Sequence, residues 1–194
     1  KIRLLRLGAQ LFVPAGHRLQ FFQHVATSPV FSCIVPEKKE KVIALIDTGA
    51  EETQNVINRV SLIDDNLSGT NSHGDEMVNA IVGQDKNAKV LSIRALGDDG
   101  KGTISSIVAA MEYAISQDVD IINLSLYAKT NALNSVLEAE IEKADEEGIM
   151  VVGAAGNDGA DVSNYMPGSV WQAIIIGACN EEGRRYPFSN YGEN

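Results

Sequence analysis

An aspartate and a histidine stand where both could take part in proton transfer. Asp47 directly follows the apolar run at residues 42–46, and His73 lies further along the chain, after a polar loop. A carboxylate held at the end of a strand can fix the tautomer of a histidine and stabilise the imidazolium that forms when the ring accepts a proton. This pair therefore predicts general acid–base chemistry, in which His73 moves the proton and Asp47 orients the ring.

Asp47 has two other interpretations. The stretch ALIDTGA at residues 44–50 resembles the active-site stretch of retroviral aspartic proteases, in which two such aspartates share one proton. Those enzymes are small all-β dimers, whereas helix and strand patterns follow this motif and the motif does not recur. The other interpretation is that Asp47 only caps the turn after a strand.

The residues around His73 also predict the start of a helix. Ser72 is followed three residues later by Asp75, which matches a capping box. Gly74, beside the histidine, leaves space for a neighbouring backbone segment. Helix initiation is compatible with catalysis, so both interpretations of His73 stay open.

Two glycine-containing loops imitate nucleotide-binding loops without matching their spacing. Residues 153–159 have the wrong glycine spacing for a dinucleotide loop, and residues 97–103 are too short for a phosphate-binding loop. A different interpretation makes the amide of Asn157 a hydrogen-bond donor to the oxyanion of a tetrahedral intermediate. Such a donor stabilises the transition state by about 3 kcal/mol.

Alternating strand and helix patterns position these candidates. Near-continuous apolar runs are typical of buried parallel strands, and apolar residues at i, i+3, i+4 spacing are typical of amphipathic helices. We therefore predict an α/β fold with a three-layer, doubly wound, mostly parallel sheet, whose sites gather beyond the carboxyl ends of the strands. The predicted strands are residues 42–46, 89–93, 119–126, 149–155 and 173–178, and the predicted helices are residues 73–83, 103–117 and 132–147.

The composition narrows the classes of partner and cofactor. Sixteen basic against twenty-six acidic residues give a net charge of −10, which argues against nucleic acid as a partner. No apolar run is long enough to span a membrane. Cys33 and Cys179 form no metal-binding spacing, so we expect two buried thiols, and we identify no metal site and no cofactor from the residues.

Taken in order, these motifs resemble those of the subtilisin-like serine proteases, or subtilases, over residues 42–192. Asp47, His73 and Asn157 correspond to the aspartate, the histidine and the oxyanion-hole asparagine of that family. The resemblance implies a serine endopeptidase that works through an acyl-enzyme with an Asp-His-Ser triad. It also implies substrate-binding positions, namely Gly100, Lys101, Gly102, Ser125, Leu126 and Gly156.

The resemblance implies further properties of the protein. Residues 41–194 form an incomplete subtilisin-like catalytic domain, and residues 1–40 form an irregular lead-in, either a propeptide remnant or an extension. We expect the nucleophilic serine beyond Asn194, so that residues 1–194 alone cleave nothing. The implied partners are a polypeptide substrate and a propeptide or inhibitor. Calcium is common in the family, and a secreted or cell-surface location is favoured.

Two departures from the family pattern leave a second function open. Asp75 and Glu76 follow Gly74, where the family usually has threonine and histidine. Tyr127 and Ala128 stand in a segment that is usually rich in glycine, which predicts a narrowed pocket for the substrate residue before the scissile bond. The alternative function is therefore that of a non-catalytic relative that acts as a binding or regulatory protein.

Overall fold

A seven-stranded sheet forms the centre of the protein in a computed structural model, which describes residues 3–4, 10–12, 40–130 and 134–193. The strands are β1 (Arg3–Leu4), β2 (Gln10–Phe12), β3 (Val42–Asp47), β4 (Val56–Ser61), β5 (Lys89–Arg94), β6 (Ile121–Leu124), β7 (Leu126–Lys129), β8 (Met150–Ala154), β9 (Tyr165–Met166) and β10 (Ile174–Cys179), and the helices are α1 (His73–Gln84), α2 (Ile104–Ser116) and α3 (Asn134–Glu146). The central sheet has the order β2-β10-β8-β6-β3-β5-β4, and every pair except β2–β10 is parallel. The predicted α/β fold with a mostly parallel sheet is confirmed.

The helices cover both faces of this sheet. Leu45 of β3 packs in one buried apolar group with Val78 of α1. Its neighbours Ala44 and Ile46 pack in another group with residues of α2 and α3, such as Met111. Because successive side chains of a strand point to opposite faces, α1 lies on one face and the other two helices lie on the opposite face. This arrangement is the predicted three-layer architecture.

The start of α1 differs from the prediction made from the sequence. Ser72 does not cap α1 through its side chain, and its hydroxyl instead donates to the Glu76 carboxylate at 3.1 Å. The Asp75 carboxylate accepts the backbone N–H of Glu51 at 2.7 Å. The predicted Ser72–Asp75 capping box is therefore wrong, because a tertiary partner occupies the carboxylate. A capping box forms instead at α2, where Thr103 caps the helix.

The predicted strand over residues 119–126 is also wrong, since the structure divides it at Ser125. β6 ends before this residue in the central sheet, whereas β7 begins after it in a separate antiparallel sheet of order β1-β7-β9. β4 was not predicted, because its residues are partly exposed and polar at the edge of the central sheet, where apolar periodicity is weak.

Several predictions concern the lead-in and the cysteines. Within the predicted irregular lead-in, the structure describes only the short strands β1 and β2, and Cys33 lies outside the described residues. Cys179 is buried at the end of β10, as expected. Among the described helices, none has the length and apolar character needed to cross a membrane.

Candidate active site

Asp47 and His73 meet where a central strand ends and a helix begins. Asp47 is the last residue of β3, and His73 is the first residue of α1. The ring Nδ1 of His73 lies 2.8 Å from Oδ1 and 2.9 Å from Oδ2 of Asp47. Both side chains are buried. Because an ionised carboxylate can only accept hydrogen bonds, Nδ1 carries the proton and Nε2 is the nitrogen that can accept one.

The backbone around Asp47 is held on both sides of its side chain. The carboxylate also accepts the N–H of Thr48 at 2.7 Å. The carbonyl oxygen of Asp47 accepts the N–H groups of Ala95 and Leu96, at 2.9 and 3.1 Å. These bonds leave the carboxylate little freedom to turn away from His73, which is what an orienting residue requires.

Thr48 ties the aspartate loop to the start of α1. Its hydroxyl donates to the carbonyl oxygen of Asn71 at 3.0 Å and accepts the N–H of Gly74 at 3.1 Å. The two segments approach so closely that a Cβ at position 74 would overlap the carbonyl oxygen of Gly49. The glycine beside His73 therefore makes this approach possible, in agreement with the prediction from the sequence.

A buried arginine joins three loops at this edge of the sheet. Arg94, the last residue of β5, is 2% exposed. Its guanidinium donates to the carbonyl oxygen of Thr48 at 2.5 Å, and to the carboxylates of Asp64 and Asp98 at 3.1 and 3.0 Å. A Cβ at Gly69 would overlap the same guanidinium. Arg94 was not predicted from the sequence, although a charged residue at the end of an apolar run is a signal that could have pointed to it.

The ion pairs shift the pKa values of all three charged groups. The hydrogen bond from Arg94 lowers the pKa of Asp64. The pKa of Asp98 is lowered chiefly by the backbone N–H of Thr70 and further by Arg94. Burial acts to lower the pKa of Arg94, but its hydrogen bonds to the two carboxylates outweigh burial and raise that pKa. All three groups are therefore charged at neutral pH.

These shifts predict a loss of stability in acid. Because both carboxyl groups have lower pKa values in the fold than in the unfolded chain, where aspartate titrates at about 3.9, they stabilise the fold above about pH 4. This contribution disappears as the pH falls through the lowered values. We expect the double variant Asp64→Asn/Asp98→Asn to lose less stability between pH 6 and pH 3 than the unaltered protein, measured by urea unfolding. Asp65→Asn, an exposed neighbour, is the control and should follow the unaltered protein.

Asn157 lies in a turn that follows β8 and is held by a second asparagine. The Nδ2 of Asn190 donates to the carbonyl oxygen of Ala155 at 2.9 Å, and its Oδ1 accepts the N–H groups of Asp158 and Ala160, both at 3.0 Å. Asn157 itself is partly exposed. Since β8 is parallel to β6, which pairs with β3, this turn lies at the same sheet edge as Asp47. This role of Asn190 was not predicted from the sequence.

The predicted substrate-binding positions lie on two loops at the same edge. Residues 97–102 form a tight loop in which Gly97 donates its N–H to the carbonyl oxygen of Lys101 at 2.9 Å. Gly102 packs against Leu96 so closely that a Cβ would overlap that side chain. Ser125 connects β6 to β7 and Leu126 is the first residue of β7, and both are buried. The structure therefore brings Gly100, Lys101 and Gly102 to the loop after β5 and the other pair to the junction after β6, two strands away in the sheet order.

Tyr127 fills the space beside the Asn157 turn. It is 5% exposed, and its ring centroid lies 5.9 Å from that of Tyr165. A Cβ at Gly156, whose φ is +104°, would overlap the Tyr127 ring. Burial is the main cause that raises the pKa of Tyr165, and its hydrogen bond with Asp158 adds to the rise. The Tyr127 ring therefore packs against Gly156 and Tyr165, beside the turn that carries Asn157.

The acidic, histidine and cysteine side chains of the described residues form no metal-binding cluster. In residues 3–4, 10–12, 40–130 and 134–193, no group of three or more His, Cys, Asp or Glu side chains is arranged to hold a metal ion. The calcium that the resemblance implies would need backbone and amide oxygens as further ligands. Calcium binding stays a prediction.

The chain matches known proteins over most of its length. Residues 38–194 match the sequence model described as the Subtilase family. The chain is 33% identical to a thermophilic serine proteinase of Bacillus sp. (strain AK1), covering 77% of this chain and 41% of that protein. It is 37% identical to subtilisin-like protease 2 of Pseudogymnoascus destructans, covering 66% of this chain and 32% of the relative. The chain therefore spans less than half the length of either relative.

The fold also resembles a solved structure. A crystal structure of a cold-adapted subtilisin-like serine proteinase superposes with a TM-score of 0.71, over 78% of this chain and 59% of that one. The two sequences are 24% identical over this alignment. This likeness shows a shared fold.

Proposed function

Because the chain belongs to the subtilase family, we propose that the protein is a serine endopeptidase that hydrolyses peptide bonds in polypeptides. The observation that carries this proposal is the buried hydrogen bond between His73 Nδ1 and the Asp47 carboxylate, at the end of β3 and the start of α1. The nucleophile in this proposal is a serine outside residues 1–194. By family resemblance, the protein acts outside the cell or at its surface.

The reaction proceeds through an acyl-enzyme. Nε2 of His73 accepts the proton of the serine hydroxyl while the serine oxygen attacks the peptide carbonyl carbon. The side-chain amide of Asn157 donates to the oxyanion that forms. The C–N bond then breaks, and His73 returns its proton to the leaving amine. In the second half of the reaction, water attacks the acyl carbon while Nε2 of His73 accepts a proton from it. His73 then returns that proton to the serine oxygen, which restores the serine and releases the carboxylate product. Asp47 stays ionised throughout.

The substrate backbone binds in an extended conformation between residues 100–102 and Ser125 and Leu126. Segments of this kind add to the edge of a sheet through main-chain hydrogen bonds. Support comes from β1, which lies antiparallel on β7 with Arg3 opposite Tyr127 and Leu4 opposite Leu126. This edge thus accepts an added strand. In the proposal, the N-terminal segment acts as an internal inhibitor that competes with substrate for it.

The buried ring of Tyr127 selects the substrate class. A large side chain before the scissile bond would need the space between Gly156 and Tyr165, which the ring fills. The proposed substrates therefore carry glycine, alanine or serine at this position. A hydrophobic pocket discriminates by roughly 10- to 200-fold per methylene that does not fit, so the preference should be strong.

Removing the ring should change this preference. We expect Tyr127→Gly to raise kcat/KM for peptides with leucine or phenylalanine before the scissile bond by at least about 10-fold, with alanine peptides changed much less. Tyr113→Ala, which removes a half-buried tyrosine on α2, is the matched control. It should leave unchanged the ratio of kcat/KM for leucine or phenylalanine peptides to kcat/KM for alanine peptides. Equal ratios for Tyr127→Gly and the unaltered enzyme would contradict the assignment of Tyr127.

A fluorophosphonate probe tests the proposed function itself. The probe reacts only with an activated serine, so the longest natural chain that contains these residues should be labelled, and His73→Ala should abolish the label. A folded, full-length protein that resists labelling and cleaves no peptide would favour the non-catalytic, regulatory alternative. Labelling that persists in His73→Ala would contradict the role of His73.

A further inference from the structure

We propose that Arg94 is a positioning residue that holds the Asp47–His73 pair in its reactive geometry, an inference that rests on the proposed function. The backbone of Arg94 lies beside that of Asp47 in the register of β3 and β5, but the role proposed here belongs to its guanidinium. The guanidinium is tied by hydrogen bonds to segments on both sides of the pair, and the two routes can be followed bond by bond.

The first route leads from Arg94 to Asp47. The guanidinium donates to the carbonyl oxygen of Thr48, the residue whose N–H binds the Asp47 carboxylate at 2.7 Å. Asp47 and Arg94 are also neighbours in the parallel register of β3 and β5. The peptide that connects Asp47 to the next loop is therefore fixed by a buried, permanently charged donor.

The second route leads from Arg94 to His73 through Asp98. The Asp98 carboxylate, which is paired with Arg94, accepts the N–H of Thr70 at 3.0 Å. The backbone carbonyl oxygen of Asp98 accepts the side-chain amide of Asn71 at 3.1 Å. The Oδ1 of Asn71 in turn accepts the N–H of His73 at 3.0 Å. Asp98 thus connects the arginine to the two residues that lead into α1.

Asp64 completes the arrangement from the opposite side. Its carboxylate makes two contacts with the guanidinium, Oδ1 to Nε at 3.3 Å and Oδ2 to Nη2 at 3.1 Å. Such a two-point contact fixes the plane of the guanidinium, which a lysine could not reproduce. The side chain of Arg94 therefore has one orientation, and this orientation sets the separation between the Thr48 and Asp98 loops.

The same network involves the substrate side of the site. Asp98 belongs to the loop of residues 97–102 that carries Gly100, Lys101 and Gly102. A shift of about 1 Å at the reacting groups can cost about 100-fold in rate, so loss of Arg94 should act mainly on turnover. Its effect on the binding of a short peptide should be smaller, because the loop keeps its own internal hydrogen bonds.

The test compares Arg94→Gln and Asp98→Ala with Arg59→Gln in the longest natural chain. Arg59 is the matched control, because its guanidinium also pairs with a carboxylate, that of Glu52 at 3.2 Å. It also reaches the loop after Asp47, through a long hydrogen bond of 3.5 Å to the carbonyl oxygen of Ala50, but it does not join that loop to Asp98. The readout is the low-field proton NMR signal of His73 Nδ1–H, recorded well below the melting temperature of each variant. A merely structural role would lower the melting temperature and leave this signal unchanged.

We expect the signal to be lost or broadened in Arg94→Gln, weakened in Asp98→Ala and retained in Arg59→Gln. With a short peptide substrate, kcat should fall about 10- to 100-fold in Arg94→Gln while KM changes less than about threefold. An unchanged Nδ1–H signal in Arg94→Gln would overturn the inference. If Arg94→Gln does not fold, Asp98→Ala decides, and an unchanged signal there overturns it equally.

The two proposals fail in different ways. The NMR signal depends only on the Asp47–His73 hydrogen bond and needs no nucleophile. A protein without peptidase activity whose Nδ1–H signal is lost in Arg94→Gln would contradict the proposed function and support the positioning role. An active peptidase whose Nδ1–H signal and kcat are the same in all variants would support the proposed function and contradict the positioning role of Arg94.

Discussion

Replacing Asp47 by asparagine should reduce kcat of the full-length protein by about 10⁴-fold, a magnitude that applies to serine-protease triads in general, subtilisin among them. The physical reason lies in the contact of the carboxylate with His73 Nδ1 at 2.8 Å. An asparagine amide at this position can donate to Nδ1 and so favour the wrong tautomer, in which Nε2 carries the proton and cannot accept one from the serine. It also removes the charge that stabilises the imidazolium.

The measurement is single-turnover and steady-state hydrolysis of a peptide with alanine before the scissile bond. KM should change little, because Asp47 is buried and does not touch substrate in the proposed mechanism. Asp145→Asn, an exposed aspartate on α3, serves as the control and should keep full activity. If Asp47→Asn retained more than about a tenth of the turnover, the triad assignment would have to be abandoned.

The second large effect is expected at Asn157. Asn157→Ala should lower kcat by about 10²- to 10³-fold with KM nearly unchanged, the range seen when one oxyanion donor is removed, for which subtilisin is the worked example. The amide acts on charge that exists only in the transition state, so substrate binding does not report it. The turn around this residue is held by Asn190, and its backbone should therefore survive the change.

Two comparisons make this result specific. Asn87→Ala, in an exposed turn before β5, should be fully active. Asn190→Ala should resemble Asn157→Ala in kcat but also lose stability, because it leaves buried backbone groups without their partner. A parallel rise in KM and fall in kcat for Asn157→Ala would instead indicate a role in ground-state binding.

The sequence by itself determined the edge of the sheet at which the site lies. The apolar run at residues 42–46 ends at Asp47, and a helical pattern starts at His73. Because sites in parallel sheets lie beyond the carboxyl ends of the strands, both residues could be placed at that edge. Local patterns suffice here because strand direction, helix start and side-chain alternation are set by near neighbours in the chain. The contact between the two side chains then follows from one strand and one helix.

Tertiary structure decided which other groups meet at that edge. The partners of Arg94 come from loops after three different elements. Asp98 lies four residues further along the chain, but no local spacing relates Thr48 or Asp64 to the arginine. The same holds for Tyr127, whose burial against Gly156 depends on the division of a continuous apolar run at Ser125 into two sheets.

Local patterns fail at these positions because several hydrogen-bonding groups compete for the same side chain. Asp75 has the correct spacing to cap α1, yet its carboxylate binds the Glu51 backbone instead, because the fold brings a better-placed donor within 2.7 Å. A short-range pattern predicts which contacts a side chain can make. Strand order and loop packing decide which of the possible partners lies within hydrogen-bond distance of it. For this protein, the contact between Asp47 and His73 could be predicted from the sequence, whereas the contacts of Arg94, to which we assign a positioning role, could be found only in the fold.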